Sequence, residues 1–220
     1  MEITRRKWIG LSALGVGGAV AASLMRPETS VEESSARELL RQRHFPDVRL
    51  TTHEGREVRF YEDLVKDKIV TINFIYTRCE DGRCPLATAN LARVQRLLGD
   101  RIGRDVFMYS ITLAPEQDSP GVLARYAFSY DIGPGWKFLT GAPADIELLR
   151  RKLGFTWADP VRDAQRTNHI GTLRYGNEPL QWWAACPALS NPSWIAESLS
   201  WVDWPNREHA ALPAPTDVGT

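Results

Sequence analysis

A strongly apolar run at residues 69–76, followed by a turn that contains two cysteines, limits the fold of this sequence more than any other feature. The run is rich in β-branched and aromatic residues, which is typical of a strand covered on both faces. Cys79 and Cys84 follow it, and Pro85 then opens a segment with helical spacing of apolar residues. Two thiols at a strand-to-helix turn favour soft-metal binding or thiol–disulfide chemistry over packing.

Strand-like and helix-like segments alternate along the chain around this turn. Helices are predicted over residues 85–98, 120–130, 143–153 and 192–202, and strands over 69–76, 106–113, 136–139, 170–175 and 180–184. Two shorter strands, 48–51 and 57–60, flank Glu54-Gly55 and predict an N-terminal hairpin. The order predicts an α/β, thioredoxin-like fold, with a central mixed sheet, helices on both faces and this hairpin as an extra element.

Composition is that of a soluble globular protein, with 43% apolar and 25% charged residues. The formal net charge is zero, which argues against nucleic-acid binding. The pattern predicts a linker at 26–45, a folded thioredoxin-like domain at 46–204 and a disordered tail at 205–220.

The N-terminal segment has the pattern of an export signal. Arg5-Arg6 lies in a basic cluster, and a weakly apolar, Gly- and Ala-rich stretch follows it. We interpret residues 1–25 as a twin-arginine-type signal or a weak membrane anchor. The protein is therefore expected to be periplasmic or anchored at the outer face of the inner membrane, where exposed thiols need a disulfide, a metal or a reductant.

His169 is the candidate third member of the cysteine site. It precedes the strand predicted at 170–175, and in a thioredoxin-like topology that loop passes beside the cysteine turn. Two thiolates and one imidazole suit copper, as Cu(I) or Cu(II). His44, His53 and His209 are expected to lie outside the site.

Cys186 follows two tryptophans and two alanines, which favours a buried apolar role. A resolving thiol or an extra ligand is the alternative for this third cysteine.

The motif residues resemble one known family. Phe74-Ile75-Tyr76-Thr77-Arg78-Cys79, then Cys84-Pro85, then Asn168-His169 resemble the Sco/SenC family of exported, thioredoxin-fold copper proteins, over about residues 46–204. The resemblance implies that Cys79, Cys84 and His169 bind copper. It also implies a role in delivering copper to the binuclear copper site of cytochrome c oxidase, or in reducing the cysteines of that site. Four residues, 80–83, separate the cysteines here, where the family has three.

Two other functions stay open. Cys79 and Cys84 would also serve a thiol–disulfide oxidoreductase or a peroxide-reducing relative, because a disulfide tolerates the wider spacing. A divergent non-metal binding or sensing domain with a tryptophan-rich surface is the third hypothesis. We favour a metallochaperone over an enzyme, with a membrane-proximal oxidase subunit, or another copper or thiol protein, as the partner.

Overall fold

A mixed β-sheet organises the computed structural model, which describes residues 38–165 and 171–203. Its strands are β1 (Arg49–Thr52), β2 (Glu57–Arg59), β3 (Ile69–Ile75), β4 (Val106–Thr112), β5 (Trp136–Gly141), β6 (Thr172–Asn177) and β7 (Trp182–Pro187). The order across the sheet is β2-β1-β5-β4-β3-β6-β7. Strand β4 pairs in parallel with β3 and with β5. The other pairs, β1–β2, β1–β5, β3–β6 and β6–β7, are antiparallel. The predicted α/β fold with a mixed sheet is confirmed.

Helices cover both faces of the sheet. They are α1 (residues 38–44), α2 (Arg83–Leu98), α3 (Pro120–Ser129), α4 (Pro143–Lys152), α5 (Pro160–Ala164) and α6 (Pro192–Trp201). Apolar residues of α2, α3 and α6 form one buried cluster, and those of α4 form another with Phe60, Phe74 and their neighbours. All seven residues of β3 are buried, including Thr71 and Asn73, as expected for a β-branched and aromatic strand covered on both faces.

The predicted N-terminal hairpin is present as β1 and β2. It is not a separate ribbon, because β1 also pairs with β5, joining Thr51 to Thr140 in register. Strand β2 ends at Arg59, where a single π-helical turn, Phe60–Val65, replaces the end of the predicted strand. The hairpin therefore extends the central sheet at its β5 edge.

The late strand pair lies further along the chain than predicted. Gly176 and Asn177 belong to β6, so the turn begins at Glu178, not at Gly176. The Glu178 carboxylate is buried and accepts bonds from the Tyr61 hydroxyl at 2.8 Å and from the Asp67 N–H at 2.9 Å. Tyr61 and Asp67 are far from Glu178 in the sequence, so the local sequence pattern does not show where this turn begins.

Packing also reaches into the predicted linker. Residues 38–44 are helical, and Phe45 is buried against Tyr61 and Trp183. The predicted export segment at 1–25 and the predicted tail at 205–220 lie outside the described residues. Among residues 38–165 and 171–203, no helix has the length and apolar character needed to cross a membrane.

Candidate metal centre

The cysteine turn lies at the carboxyl end of β3. The Gly82 N–H donates to the Cys79 carbonyl at 3.3 Å, which closes a tight turn over residues 79–82. Gly82 has a φ of +72°, a left-handed conformation that glycine adopts without strain. Helix α2 then begins at Arg83, two residues earlier than predicted, so Cys84 lies within its first turn.

The turn brings Cys79 over the amino end of α2. The Cys84 N–H donates to the Cys79 sulfur at 3.3 Å. The Cys79 thiol in turn donates to Oδ1 of Asp81 at 2.8 Å, and the same oxygen accepts from the Arg83 N–H at 3.0 Å. Asp81 thus ties the exposed part of the loop to the helix and accepts a hydrogen bond from the Cys79 thiol.

The two thiols differ in environment. Cys84 is 1% exposed, whereas Cys79 is half-buried. Burial raises the pKa of the Cys84 thiol, and the neighbouring Cys79 raises it further. No disulfide joins the cysteines of this structure. Cys84 is therefore a protonated, shielded thiol beside an accessible one.

Tyr76 closes the site from the strand side. Burial raises the pKa of its phenol, and the nearby Cys79 thiol adds to that shift. The phenol stays protonated at neutral pH and provides a polar group beside the thiols. The sequence places Tyr76 in the motif but does not predict how close it lies to the thiols.

Asp118 anchors the start of the cysteine turn, a role that sequence reasoning missed. Its buried carboxylate accepts from the Thr77 N–H at 3.2 Å, and from the Thr77 and Thr112 hydroxyls at 2.5 Å each. These bonds join the ends of β3 and β4 two residues before Cys79. A usable signal was its place directly before the helix cap Ser119, at the edge where parallel strands end.

His169 lies outside the described residues, so its predicted place beside the thiols stays a prediction. The next described residues, Gly171 and Thr172, line a cavity of about 40 Å³ together with Cys84. Within residues 38–165 and 171–203, no group of three His, Cys, Asp or Glu side chains is arranged to hold a metal ion. The described part of the site consists of two thiols.

The structure also describes three other candidate residues, Cys186, His53 and His44. Cys186 is buried in the apolar cluster that also contains Cys84, and burial raises its pKa to about 11. His53 accepts a bond from the Phe138 N–H at 3.1 Å, and His44 is exposed. His209 lies outside the described residues.

Comparison with known proteins identifies a family. The family model SCO1/SenC matches residues 37–198. A SCO1 protein homolog of Bacillus subtilis is 35% identical over 97 residues, 43% of this chain and 48% of that protein. The chain thus spans about half the length of that curated relative.

Solved structures share the fold. Copper-bound ScoI of Bradyrhizobium japonicum is 25% identical, with a TM-score of 0.57 over 70% of this chain and 96% of that one. Yeast Sco1 is 22% identical, with a TM-score of 0.56 over 70% of this chain and 93% of its own. With the match of the family model over most of the chain, these likenesses show that the chain belongs to the SCO1/SenC family.

Proposed function

We propose that this chain is an exported copper-binding protein that carries copper on Cys79, Cys84 and His169. The observation that carries the proposal is the Cys84 N–H donating to the Cys79 sulfur at 3.3 Å, which holds both thiols at one turn. The likeness to ScoI with copper bound supports the choice of metal. Soft thiolates select Cu(I), and an added imidazole also suits Cu(II).

The described residues fit a soft metal. Both donors are sulfurs at one strand-to-helix turn, and Cys84 lies in a sheltered position that excludes water. Gly171, two residues after His169, lines the same small cavity as Cys84, which supports the imidazole as the third ligand. Bound copper supplies the positive charge that stabilises thiolates at this buried position.

Loading the site requires two protons to leave, because thiolates and not thiols are the ligands. The Cys79 proton already points at the Asp81 carboxylate, which is exposed enough to pass it to solvent. Cys84 is buried, and its raised pKa makes its proton the harder one to remove. We therefore assign first contact with incoming copper to Cys79.

A competitive Cu(I) titration of the reduced full chain tests the ligand set. We expect one copper per chain, and a loss of affinity of at least about tenfold in Cys79→Ser, Cys84→Ser and His169→Ala. Cys186→Ala and His44→Ala are the matched controls, because neither residue belongs to the proposed set. Undiminished copper affinity in the three ligand variants would refute the proposal.

Delivery to an oxidase is the proposed output. The chain would transfer copper to the binuclear copper site of cytochrome c oxidase, or reduce the cysteines of that site, on the outer side of the inner membrane. The twin-arginine pattern at residues 5–6 supports export. Deleting the chain's gene should lower oxidase copper content and activity, and Arg5→Lys with Arg6→Lys should retain the protein in the cytoplasm. Normal oxidase assembly without the protein would refute this role.

A thiol–disulfide function is the second candidate, favoured by the unequal exposure of the two thiols. An accessible Cys79 attacks a partner disulfide, and a buried Cys84 then displaces the partner from the mixed disulfide. The two thiols lose two protons and two electrons and become one disulfide, while the partner disulfide becomes two thiols. Mass spectrometry of the oxidised chain should show a Cys79–Cys84 disulfide that forms reversibly. His169→Ala should leave this couple unchanged if the redox role is the main one.

A further inference from the structure

Helix α1 and the last turns of α4 present an exposed surface that combines leucines with basic residues. Leu39 and Leu40 are 66% and 39% exposed, and Leu148 is 39% exposed. These leucines belong to segments 39–44 and 148–152, which contain two and three arginines or lysines and no aspartate or glutamate. We call these two segments the basic surface.

The two segments of the basic surface are neighbours in the fold. A cavity of about 290 Å³ is lined by Leu40 and His44 of α1, and by Lys152 and Leu153 at the end of α4. Leu148 lies four residues before Lys152, which places both on the same side of α4. The exposed leucines of α1 and α4 therefore belong to one continuous surface.

The charge of this surface is positive. Its exposed cations are Arg43, Arg151 and Lys152. The carboxylates that flank the two segments are Glu38 and Glu147. Glu147 accepts hydrogen bonds from Arg150 and Arg151, so its negative charge is balanced within α4. Exposed leucines and cations thus occur together, although the whole chain has no net charge.

Apolar side chains among cations match the surface of a bilayer that contains anionic lipids. Leucines enter the boundary between head groups and acyl chains, and arginines and lysines attract the anionic head groups. The position in the chain supports this choice of partner. Only twelve residues, 26–37, separate the predicted export or anchor segment from α1. Twelve residues span at most about 40 Å, so a retained anchor would keep the basic surface close to the bilayer.

We propose that the basic surface rests on a bilayer that contains anionic phospholipid, with Leu39, Leu40 and Leu148 in the head-group region. This contact is made by the folded domain and adds to any attachment through residues 1–25. It rests on the proposed location at the outer face of the inner membrane, and it does not depend on copper binding.

This contact leaves the cysteine turn accessible. The cavity beside the basic surface is also lined by Gln181, in the turn that follows Asn177. Asn177 pairs with Ile69, the first residue of β3, so the turn lies at the amino end of that strand. The cysteine turn lies at the opposite, carboxyl end of β3. A domain that rests on its basic surface therefore keeps Cys79 available to a partner.

Hydrogen–deuterium exchange of the full chain, incubated with lipid vesicles, tests the proposal. One set of vesicles is phosphatidylcholine alone, and the other is an equal mixture with phosphatidylglycerol. We expect amide exchange over residues 39–44 and 148–152 to be at least about fivefold slower on the anionic vesicles. The difference should vanish in 1 M salt, where the Debye length is about 3 Å. Exchange over the hairpin of β1 and β2 should be the same on both.

Equal exchange of the basic surface on the two kinds of vesicle would overturn the proposal. Slow exchange without vesicles that increases with protein concentration would assign the surface to a second copy of the chain, and would overturn the lipid assignment as well. Neither result bears on the Cu(I) titration, so the copper proposal is tested separately.

Charge variants test the role of the cations. Arg43→Gln combined with Lys152→Gln should remove most of the difference in exchange between anionic and neutral vesicles. Arg93→Gln combined with Arg96→Gln is the matched control, because both arginines are exposed on α2 and lie outside the basic surface. Thermal unfolding shows whether each variant is folded. Unchanged protection on anionic vesicles in the folded Arg43 and Lys152 variant would overturn the assignment.

Apolar variants test the role of the leucines. Leu39→Ser combined with Leu148→Ser should weaken protection on anionic vesicles at least severalfold, since the head groups then lose their apolar contacts. Phe128→Ser is the matched control, because Phe128 is 89% exposed on α3 and should leave exchange unchanged. Full protection in the folded double leucine variant would show that the leucines do not enter the bilayer, contrary to the proposal.

Discussion

Replacing Asp118 with alanine should destabilise the protein by about 3 kcal/mol and loosen the cysteine turn. The carboxylate is 1% exposed and accepts three hydrogen bonds, from the Thr77 N–H, the Thr77 hydroxyl and the Thr112 hydroxyl. Each bond to a charged acceptor contributes about 1.5–3 kcal/mol. The sum is reduced to about 3 kcal/mol because the variant no longer desolvates a charge, and the groups it leaves without Asp118 are a neutral N–H and two neutral hydroxyls.

Urea unfolding at pH 7, followed by circular dichroism, measures the free energy of unfolding. A loss of about 3 kcal/mol corresponds to a fall in Tm of about 6–12 °C for a domain of this size. Asp100→Ala is the matched control, because Asp100 is exposed and a surface change of this kind stays within about 0.5 kcal/mol. If Asp118→Ala lost less than about 1 kcal/mol, the three bonds would not stabilise the strand ends as argued.

The same variants separate local positioning from global stability. Thr77 lies two residues before Cys79, so a freed Thr77 should let the turn fluctuate and weaken Cu(I) binding in the folded variant. Asp118→Asn keeps one carbonyl oxygen and the shape of the side chain, and should lose less affinity than Asp118→Ala. Equal copper affinity in Asp118→Ala and Asp100→Ala would show that Asp118 does not position the thiols.

Three other perturbations follow from the packing and charges. Gly176→Ala should destabilise the fold by about 1–3 kcal/mol, since a Cβ there would lie 2.4 Å from the Trp183 ring; unchanged urea unfolding would contradict this. Cys186, with a pKa of about 11, should resist alkylation at pH 8 until urea unfolds the chain, and rapid labelling of the native protein would show exposure that the packing denies. Arg150 lowers the pKa of Asp163 to about 2 from 3.8, so the stabilisation by this pair, about 1 kcal/mol, is present above pH 4 and lost as pH falls to 2. Asp163→Asn should flatten that acid-side loss of stability in denaturation curves, and an unchanged pH dependence would refute it.

The spacing of apolar residues predicted the central strands and helices well, because this spacing depends only on residues that are close in the sequence. Residues 106–113 and 143–153 were predicted within about one residue of β4 and α4. Side-chain caps also begin two of the helices, since Ser119 accepts from the Val122 N–H at 3.4 Å and Asn191 accepts from the Ser193 N–H at 2.9 Å. Apolar spacing and capping are properties of neighbouring residues, so a sequence shows them directly.

The elements that the sequence did not predict depend on distant partners. The start of the turn after β6 follows the Glu178 carboxylate, whose bond to Tyr61 joins residues 117 positions apart. Helix α5 is not among the predicted helices, and its Asp163 accepts hydrogen bonds from Arg150. Asp118 likewise has a role only once β3 and β4 lie side by side. Contacts of this range carry no signal in a local pattern.

The conformation of the turn accommodates the four-residue spacer between the cysteines. A fourth spacer residue would shift a sulfur by up to about 3.5 Å if the loop were extended. The loop is not extended, because the turn closed from Gly82 to Cys79 takes up residues 79–82 and α2 begins at once. Cys84 is therefore the second residue of α2, and its backbone nitrogen lies 3.3 Å from the Cys79 sulfur. The wider spacing is thus compatible with direct contact between Cys79 and Cys84, and the left-handed Gly82 allows the turn that brings them together.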